Sequence, residues 1–275
     1  MIDLFQFFIG MALSGLTAYL AYMARSLDLS GAIAAGILGT IVFGLGGWPW
    51  ALLLLGFFIS STLLSRLFKQ RKAQIEEKFS KGSRRDAWQV LANGGFAGLF
   101  VLIHLVFPGA VWPWLAFAGS LAAANADTWA TELGVLNPKK PRLITTRQEV
   151  DPGTSGAVSQ YGLGAAAAGS FFIALLTFFA WAGVTRLSFI ESILTILIVT
   201  IAGIGGSLVD SWLGATYQAI YHCPTCRKET EKHPQHSCGT QTVLSRGLAW
   251  LNNDVVNTAC TFSGGIAALI LSLVL

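Results

Sequence analysis

Charged residues are scarce in this chain of 275 residues. Only 12% are Asp, Glu, Lys or Arg, against about 25% in soluble domains, while 53% are hydrophobic and the mean hydropathy is +0.61. This composition excludes an ordinary soluble domain and predicts a polytopic membrane protein. The N-terminus has no Lys or Arg before its first apolar run, which argues against a secretory signal peptide.

Two nucleotide-binding motifs are also missing. The chain has no Walker A sequence (Gly-x4-Gly-Lys-Ser/Thr) and no protein-kinase motif set. A nucleotide would therefore have to be held in some other way. We expect no nucleic-acid partner.

The apolar segments predict an all-α fold: one transmembrane domain over residues 1–275, a bundle of about eight helices. A helix needs about 20 apolar residues to cross a bilayer, and the second segment is shorter and rich in glycine. The predicted spans are Leu4–Met23, Gly31–Gly46, Trp48–Phe68, Trp88–Phe107, Val111–Leu133, Ala157–Ala182, Ile190–Gln218 and Gly247–Leu275.

The basic residues indicate the orientation of these spans. With eight spans, every Lys and Arg except Arg186 falls on one face of the membrane, and the positive-inside rule makes that face cytoplasmic. Both termini would then lie outside. We predict a multi-pass protein of the cell (inner) membrane.

A polar run ends the fifth predicted span. Asp127 and Glu132 are ionisable, and Asn125 and Thr128 lie beside them. Ionisable groups in a span are costly and by default mark a functional site, although a helix end that reaches interfacial water is the alternative. Asp210-Ser-Trp, near the end of span seven, repeats the local pattern Asp127-Thr-Trp, which favours two carboxylates in like positions.

Four predicted helices carry polar residues at the same cytoplasmic depth. Span four contributes Asn93 and span eight contributes Asn253, Asp254 and Asn257. Hydrogen bonding between membrane helices is one explanation, but the common depth favours a shared site. Carboxylate and amide oxygens suit Mg²⁺ or Mn²⁺. The predicted metal ligands are Asp127, Asp210 and Asp254, and these three with Glu132 form the predicted catalytic set. The residues of these helices predicted to bind substrate or nucleotide phosphate are Asn93, Asn125, Thr128, Asn253 and Asn257.

The loop over residues 138–156 combines cations, hydroxyls and a Gly-Thr-Ser-Gly turn. That turn is predicted to open span six, and a helix N-terminus with small residues is a ready anion site. A lipid-bound basic loop with an ordinary N-cap is the alternative, and we prefer it for Lys139 and Lys140. The predicted phosphate-binding residues of this loop are Thr145, Thr146, Arg147, Asp151, Thr154 and Ser155.

A separate basic run, residues 66–85, is interpreted as a solvated or headgroup-facing segment. It also contains Glu76 and Glu77. We expect no catalytic role for it.

Three of the four cysteines lie in a short cytoplasmic insertion, residues 222–246. Cys223 and Cys226 form a Cys-x2-Cys pair, and Cys238 follows with either His236 or His233 as a fourth ligand. This spacing is typical of structural zinc sites, and a redox pair is the alternative. A stable disulfide is disfavoured in the cytoplasm. Cys260, in span eight, is interpreted as a small apolar filler.

Taken together, these motifs resemble those of a known family. Asn93-Gly-Gly, Asn125-Ala-Asp-Thr-Trp-Ala-Thr-Glu-Leu-Gly, Asp151-Pro-Gly-Thr-Ser-Gly, Asp210-Ser, Cys223-x2-Cys and Asn252-Asn-Asp-Val-Val-Asn are similar to motifs of the integral-membrane family of the chloroplast phytyl phosphate kinase of vitamin E biosynthesis. The likeness covers nearly the whole chain in order.

The resemblance implies a prenyl phosphate kinase. Such an enzyme transfers a phosphoryl group from a nucleoside triphosphate, CTP or ATP, to a membrane prenyl monophosphate such as phytyl or geranylgeranyl phosphate. The alternatives are a CTP-dependent cytidylyltransferase acting on a lipid phosphate and, in another class, an ion-coupled transporter or lipid flippase. A transporter predicts polar groups across the whole membrane depth, whereas here they crowd toward one face.

Overall fold

The computed structural model describes residues 3–68, 84–182 and 188–274. Within these ranges the chain is mainly helical. A π-helical segment, Thr40–Leu45, continues the second helix, and a 3-10 turn, Ser272–Val274, follows the last one. The α-helices are α1 Leu4–Met23, α2 Leu29–Gly39, α3 Trp48–Leu67, α4 Ala87–Val106, α5 Trp112–Gly134, α6 Gln160–Ala182, α7 Phe189–Thr216 and α8 Asn253–Leu271.

Six of these helices are long and apolar enough to cross a membrane: α1, α3, α4, α6, α7 and α8. This confirms a polytopic membrane protein with a mostly helical fold. The eight-span count, with both termini outside, stays a prediction.

Helix α5 is the helix around which the bundle is packed. Every residue from Pro113 to Ala126 is buried, and α3, α4, α6, α7 and α8 all contact it. Small residues let the neighbouring backbones approach, as is usual between membrane helices: a Cβ at Gly264 of α8 would lie 2.5 Å from the Cβ of Ala123. The neighbouring helices thus shield α5 from lipid over this stretch, whereas Asp127–Thr131 beyond it are partly or fully exposed.

Two predicted spans begin later in the structure than the sequence indicated. Span six was predicted from Ala157, but strand β2 (Ala157–Val158) pairs antiparallel with β1 (Arg142–Leu143), and α6 begins only at Gln160. The Ser159 hydroxyl accepts from the Gly162 amide at 3.0 Å. The expectation that the Gly-Thr-Ser-Gly turn opens this helix was therefore wrong. Helix α8 begins at Asn253, where the Asn252 side chain accepts from the Val255 amide.

The cysteine-containing insertion forms a small sheet after α7. Its strands are β3 (Ile220–Cys223), β4 (Lys228–Thr230) and β5 (Val243–Arg246), all antiparallel, in the order β4-β3-β5. Arg246 donates to the carbonyls of Gly214 and Ala215 at 3.1 and 3.2 Å. Because these carbonyls belong to the last turn of α7, this contact fixes the small sheet to the end of that helix.

Candidate functional site

A polar cavity of about 360 Å³ lies at the end of the bundle where α5 and α7 end and α4, α6 and α8 begin. It brings together nine of the residues predicted from the sequence. They are Asn93, Asp127, Thr128, Glu132, Thr154, Ser155, Asp210, Asn253 and Asn257.

Paired carboxylates are the main chemical feature of this cavity. The carboxyl groups of Asp127 and Asp210 interact directly, and Glu231, from the loop after β4, adds a third negative charge close to Asp210. The Oδ2 atom of Asp210 is buried and has no hydrogen-bond partner among the described residues. Like charges held this close need a cation or shared protons to offset their repulsion.

Two further charged groups, Glu132 and Arg85, also line the cavity. Glu132 is buried and accepts a hydrogen bond from the Ser65 hydroxyl at 2.7 Å. Desolvation lowers the pKa of the Arg85 guanidinium, and the nearby charge of Glu132 offsets part of this shift by raising it. The other side of Arg85 faces Phe57, whose ring centroid is 5.7 Å from Cζ. Arg85 thus places a half-buried positive charge beside the site.

The backbone of Arg85 is held by the turn between α1 and α2. Its amide donates to the Ser26 carbonyl at 3.0 Å, and its carbonyl accepts from the Asp28 amide at 3.0 Å. A Cβ at Gly31 would collide with the Arg85 carbonyl, so glycine is needed there for this close approach. The expectation that residues 66–85 are merely solvated or headgroup-facing was wrong for Arg85. Residues 69–83 of that run lie outside the described residues.

The Gly-Thr-Ser-Gly loop is tied to the end of α7. Gly156 has a φ of +80°, and a Cβ there would collide with the Ala215 amide nitrogen. This contact places the Ser155 hydroxyl against Oε1 of the buried Gln218, which accepts its hydrogen bond. Gln218 in turn donates from Nε2 to Glu231 at 2.8 Å. One hydrogen-bonded chain therefore joins the loop to the insertion that carries the cysteines.

Other predicted site residues do not line the cavity. Asn125 is fully buried between helices, where it accepts from the Ser60 hydroxyl at 3.0 Å and donates to the Gly169 carbonyl at 2.8 Å. It ties α5 to α3 and α6, as expected of an interhelical amide. The remaining residues outside the cavity lining are Thr145, Thr146 and Arg147, which are exposed, Asp151, which forms an exposed ion pair with Lys140, and Asp254.

Several polar or charged cavity residues were not predicted from the sequence, among them Gln89, Lys139, Arg85 and Glu231. Gln89 lies one helical turn before Asn93, and that i,i+4 spacing was the only available signal. Lys139, which we had preferred to assign to lipid headgroups, lines the cavity. Arg85 and Glu231 reach it from segments distant in sequence, which no local pattern reveals.

The cysteine cluster has the geometry of a metal site. One ligand atom each from Cys223, Cys226, His236 and Cys238 lies within 4.8 Å of all the others, and none of these cysteines forms a disulfide. His233, the alternative ligand, instead stacks on Tyr221 with ring centroids 4.3 Å apart. The four residues could hold a metal such as zinc, in a closed set that leaves no position for substrate.

Two thiols of this cluster have shifted acidities. Hydrogen bonds with Thr240 and His236 lower the pKa of Cys238 to about 5, whereas a hydrogen bond with Cys238 raises the pKa of Cys226 to about 11. The cluster thus stabilises a thiolate on Cys238 and keeps a proton on Cys226. Metal binding requires deprotonated ligands, so a metal ion would displace that proton.

The Gly156→Ala variant is expected to lose thermal stability, because alanine is strained at a φ of +80° and its Cβ collides with Ala215. A residue forced into such a conformation costs about 1–3 kcal/mol. The melting temperature of the detergent-purified protein measures the effect. Gly164→Ala is the matched control, since its Cβ would meet nothing within 4 Å and alanine favours a helix. Equal melting temperatures for the two variants would show that the loop does not need this contact.

Comparison with known proteins places the chain in a family. The integral membrane protein DUF92 family matches residues 12–265. The protein PGR of Arabidopsis thaliana is 35% identical over 92% of this chain and 91% of its own length. The uncharacterized membrane protein MJ0933 of Methanocaldococcus jannaschii is 30% identical over 98% of this chain and 95% of its own length.

A chloroplast protein is a more distant relative. The protein VTE6, chloroplastic, of Arabidopsis thaliana is 28% identical over 90% of this chain and 66% of its own length. No solved structure matches the chain. The resemblance inferred from the motifs is confirmed, and the chain belongs to the integral membrane protein DUF92 family, which includes VTE6.

Proposed function

We propose that this protein is a membrane kinase that transfers a phosphoryl group from CTP or ATP to a prenyl monophosphate. One observation carries the proposal: Asp127 and Asp210 interact in a polar cavity at one end of an apolar helix bundle. A lipid phosphate has its charged group at such a depth while its chain stays in the bilayer. Membership in the family of the phytyl phosphate kinase supports the same reaction.

The carboxylates of the cavity would hold the metal ion. Asp127 and Asp210 are the proposed ligands of Mg²⁺ or Mn²⁺, and Glu231 adds negative charge close to Asp210. Asp254, the third ligand expected from the sequence, does not line the cavity. When bound, such an ion neutralises phosphate charge and orients the triphosphate. The amides of Asn93, Asn253 and Asn257 line the same cavity and can hydrogen-bond to phosphate oxygens.

Two cations would balance the remaining phosphate charge. Arg85 and Lys139 both line the cavity, and a guanidinium pairs with phosphate through two parallel hydrogen bonds. In this structure Thr154 and Ser155 donate their hydroxyls to the Asp151 carbonyl and to Gln218. Their first role is therefore to shape the loop around the phosphates.

The reaction needs little acid–base chemistry. An oxygen of the prenyl monophosphate attacks the γ-phosphorus of the triphosphate, the bond to the β-γ bridging oxygen breaks, and the nucleoside diphosphate leaves. The acceptor oxygen is already anionic, so no proton has to be removed from it. Positioning and charge neutralisation supply most of the rate in such transfers.

The cysteine cluster would have a supporting role. We assign it one structural zinc ion, because four closed ligands leave no open coordination position. Arg85 and Lys139, which belong to two of the basic loops, line the cavity, and by the positive-inside rule we assign it to the cytoplasmic side of the cell membrane. Nucleotide would then reach it directly from the cytoplasm.

Purified protein incubated with phytyl or geranylgeranyl phosphate, CTP or ATP, and Mg²⁺ is expected to form the prenyl diphosphate. Thin-layer chromatography of the lipid with labelled γ-phosphate, and separately with labelled α-phosphate, identifies the product. Label from the γ position alone supports the kinase. A nucleotidyl lipid labelled from the α position would identify a cytidylyltransferase, and no labelled lipid would favour transport.

A further inference from the structure

A second cavity, almost entirely apolar, lies between helices α1 to α4. Its volume is about 250 Å³. Ala18, Leu38, Val42 and Phe57 are among the buried side chains that line it. A cavity of about 150 Å³ lined by such residues stays dry and binds benzene, so this one has room for about ten carbon atoms.

The apolar cavity and the polar one share part of their lining. Arg85, Gln89 and Asn93 line both cavities. These residues come from the start of α4 and the segment before it, and they are the main polar groups of the apolar cavity. An amphiphile could therefore place its apolar chain in the apolar cavity and its anionic head beside Arg85.

The apolar cavity also reaches the side of the bundle that faces lipid. Leu13 of α1 and Leu55 of α3 line it, yet 44% and 37% of their surfaces are exposed. Among the described residues, α1 packs mainly against α2 and the π-helical segment rather than against α3. A chain too long for the cavity can leave between α1 and α3 into the bilayer.

We propose that this cavity binds the first two isoprene units of the lipid phosphate and that Arg85 binds its phosphate group. The inference rests on the proposed function and names the acceptor subsite. Charge complementarity supports it, because Arg85 is a half-buried cation that lines both cavities, whereas Glu132 lines only the polar one. Because its volume is limited, the cavity would contact only the first ten carbons of the lipid chain. It would therefore not discriminate among lipids that differ beyond those carbons.

Binding should therefore depend on chain length in a defined way. Equilibrium binding of radiolabelled prenyl monophosphates, without nucleotide, is expected to tighten more than tenfold from five to ten carbons and less than threefold from ten to twenty. Detergent-purified protein and filter binding are sufficient. Affinity that keeps rising at the same rate to twenty carbons would overturn the ten-carbon subsite.

Ala35→Phe is the variant that fills the cavity, because Ala35 lines it from α2. It should weaken geranyl phosphate binding at least tenfold. Ile33→Phe is the matched control, since Ile33 lies on the same helix with 57% of its surface exposed. Equal binding by the two variants, at equal melting temperatures, would overturn the proposal.

A measurement on the unmodified protein covers the case in which Ala35→Phe does not fold. A geranyl phosphate analogue with a diazirine at the end of its chain should crosslink to cavity-lining residues of α1 to α3, such as Thr17 or Leu54. Crosslinks elsewhere would overturn the subsite even if phosphoryl transfer occurs. Crosslinks at the expected residues without phosphoryl transfer would overturn the proposed kinase and leave the subsite standing.

Discussion

Replacing Asp210 with asparagine is expected to lower kcat by about a thousandfold, which corresponds to about 4 kcal/mol of lost transition-state stabilisation. Asparagine keeps the shape of the side chain but removes the charge. The buried Oδ2 of Asp210 has no hydrogen-bond partner among the described residues. The substitution should therefore mainly weaken the binding of the cation at this site. Asp127→Asn should have a similar effect, since the two carboxyl groups interact.

Three measurements make this prediction specific. The apparent half-saturating concentration of Mg²⁺ should rise in both variants, while the melting temperature stays within a few degrees of the parent. The double variant should be little worse than either single one, because residues that act on one ion are not additive. Glu149→Gln is the control: this exposed residue pairs with Arg142 outside the cavity, and an exposed ion pair contributes little. A near-normal kcat in Asp210→Asn would show that these carboxylates have no part in the mechanism.

The sequence predicted the helices and the polar end of the bundle because both follow from bilayer physics. Long apolar runs cross the membrane, and the cost of burying charge singled out Asp127, Glu132 and Asp210. The prediction that these groups lie near one another needed only the direction of each span. Asn125 shows the limit of this reasoning. Burying its amide is also costly, but its side chain forms hydrogen bonds between helices and does not line the cavity.

Contacts between distant segments were beyond sequence reasoning. Arg85 belongs to a basic run that is unremarkable in composition, and it is placed by backbone hydrogen bonds to Ser26 and Asp28. Glu231 follows a strand of the small sheet and reaches the cavity through Gln218. Each position depends on how a loop folds back on the bundle, which neither hydropathy nor spacing encodes.

The position of Glu231 makes the cysteine cluster relevant to the site. Glu231 follows β4 directly, between Cys226 and His236 in sequence, and its charge acts on Asp210. An ion that joins Cys223 and Cys226 to His236 and Cys238 would close the loop that carries Glu231. Loss of that ion would release the loop and, with it, the hydrogen bond from Gln218.

Cys226→Ser is therefore expected to abolish zinc binding, from about one ion per chain to none, and to lower kcat at least about tenfold. Binding by a four-ligand site is coupled to folding of its loop, so the insertion should also become sensitive to protease. Elemental analysis of the purified protein gives the zinc content. His233→Gln is the control, because His233 stacks on Tyr221 outside the cluster, and it should keep its zinc.

Glu231→Gln separates the two roles of the insertion. This variant should retain one zinc ion and a protease-resistant loop, yet lose activity, because only the charge beside Asp210 has changed. If Cys226→Ser lost zinc but kept full activity, the ion would not position Glu231. If the parent protein contained no zinc and were fully active, the cysteines would be a redox pair or have no part in the reaction.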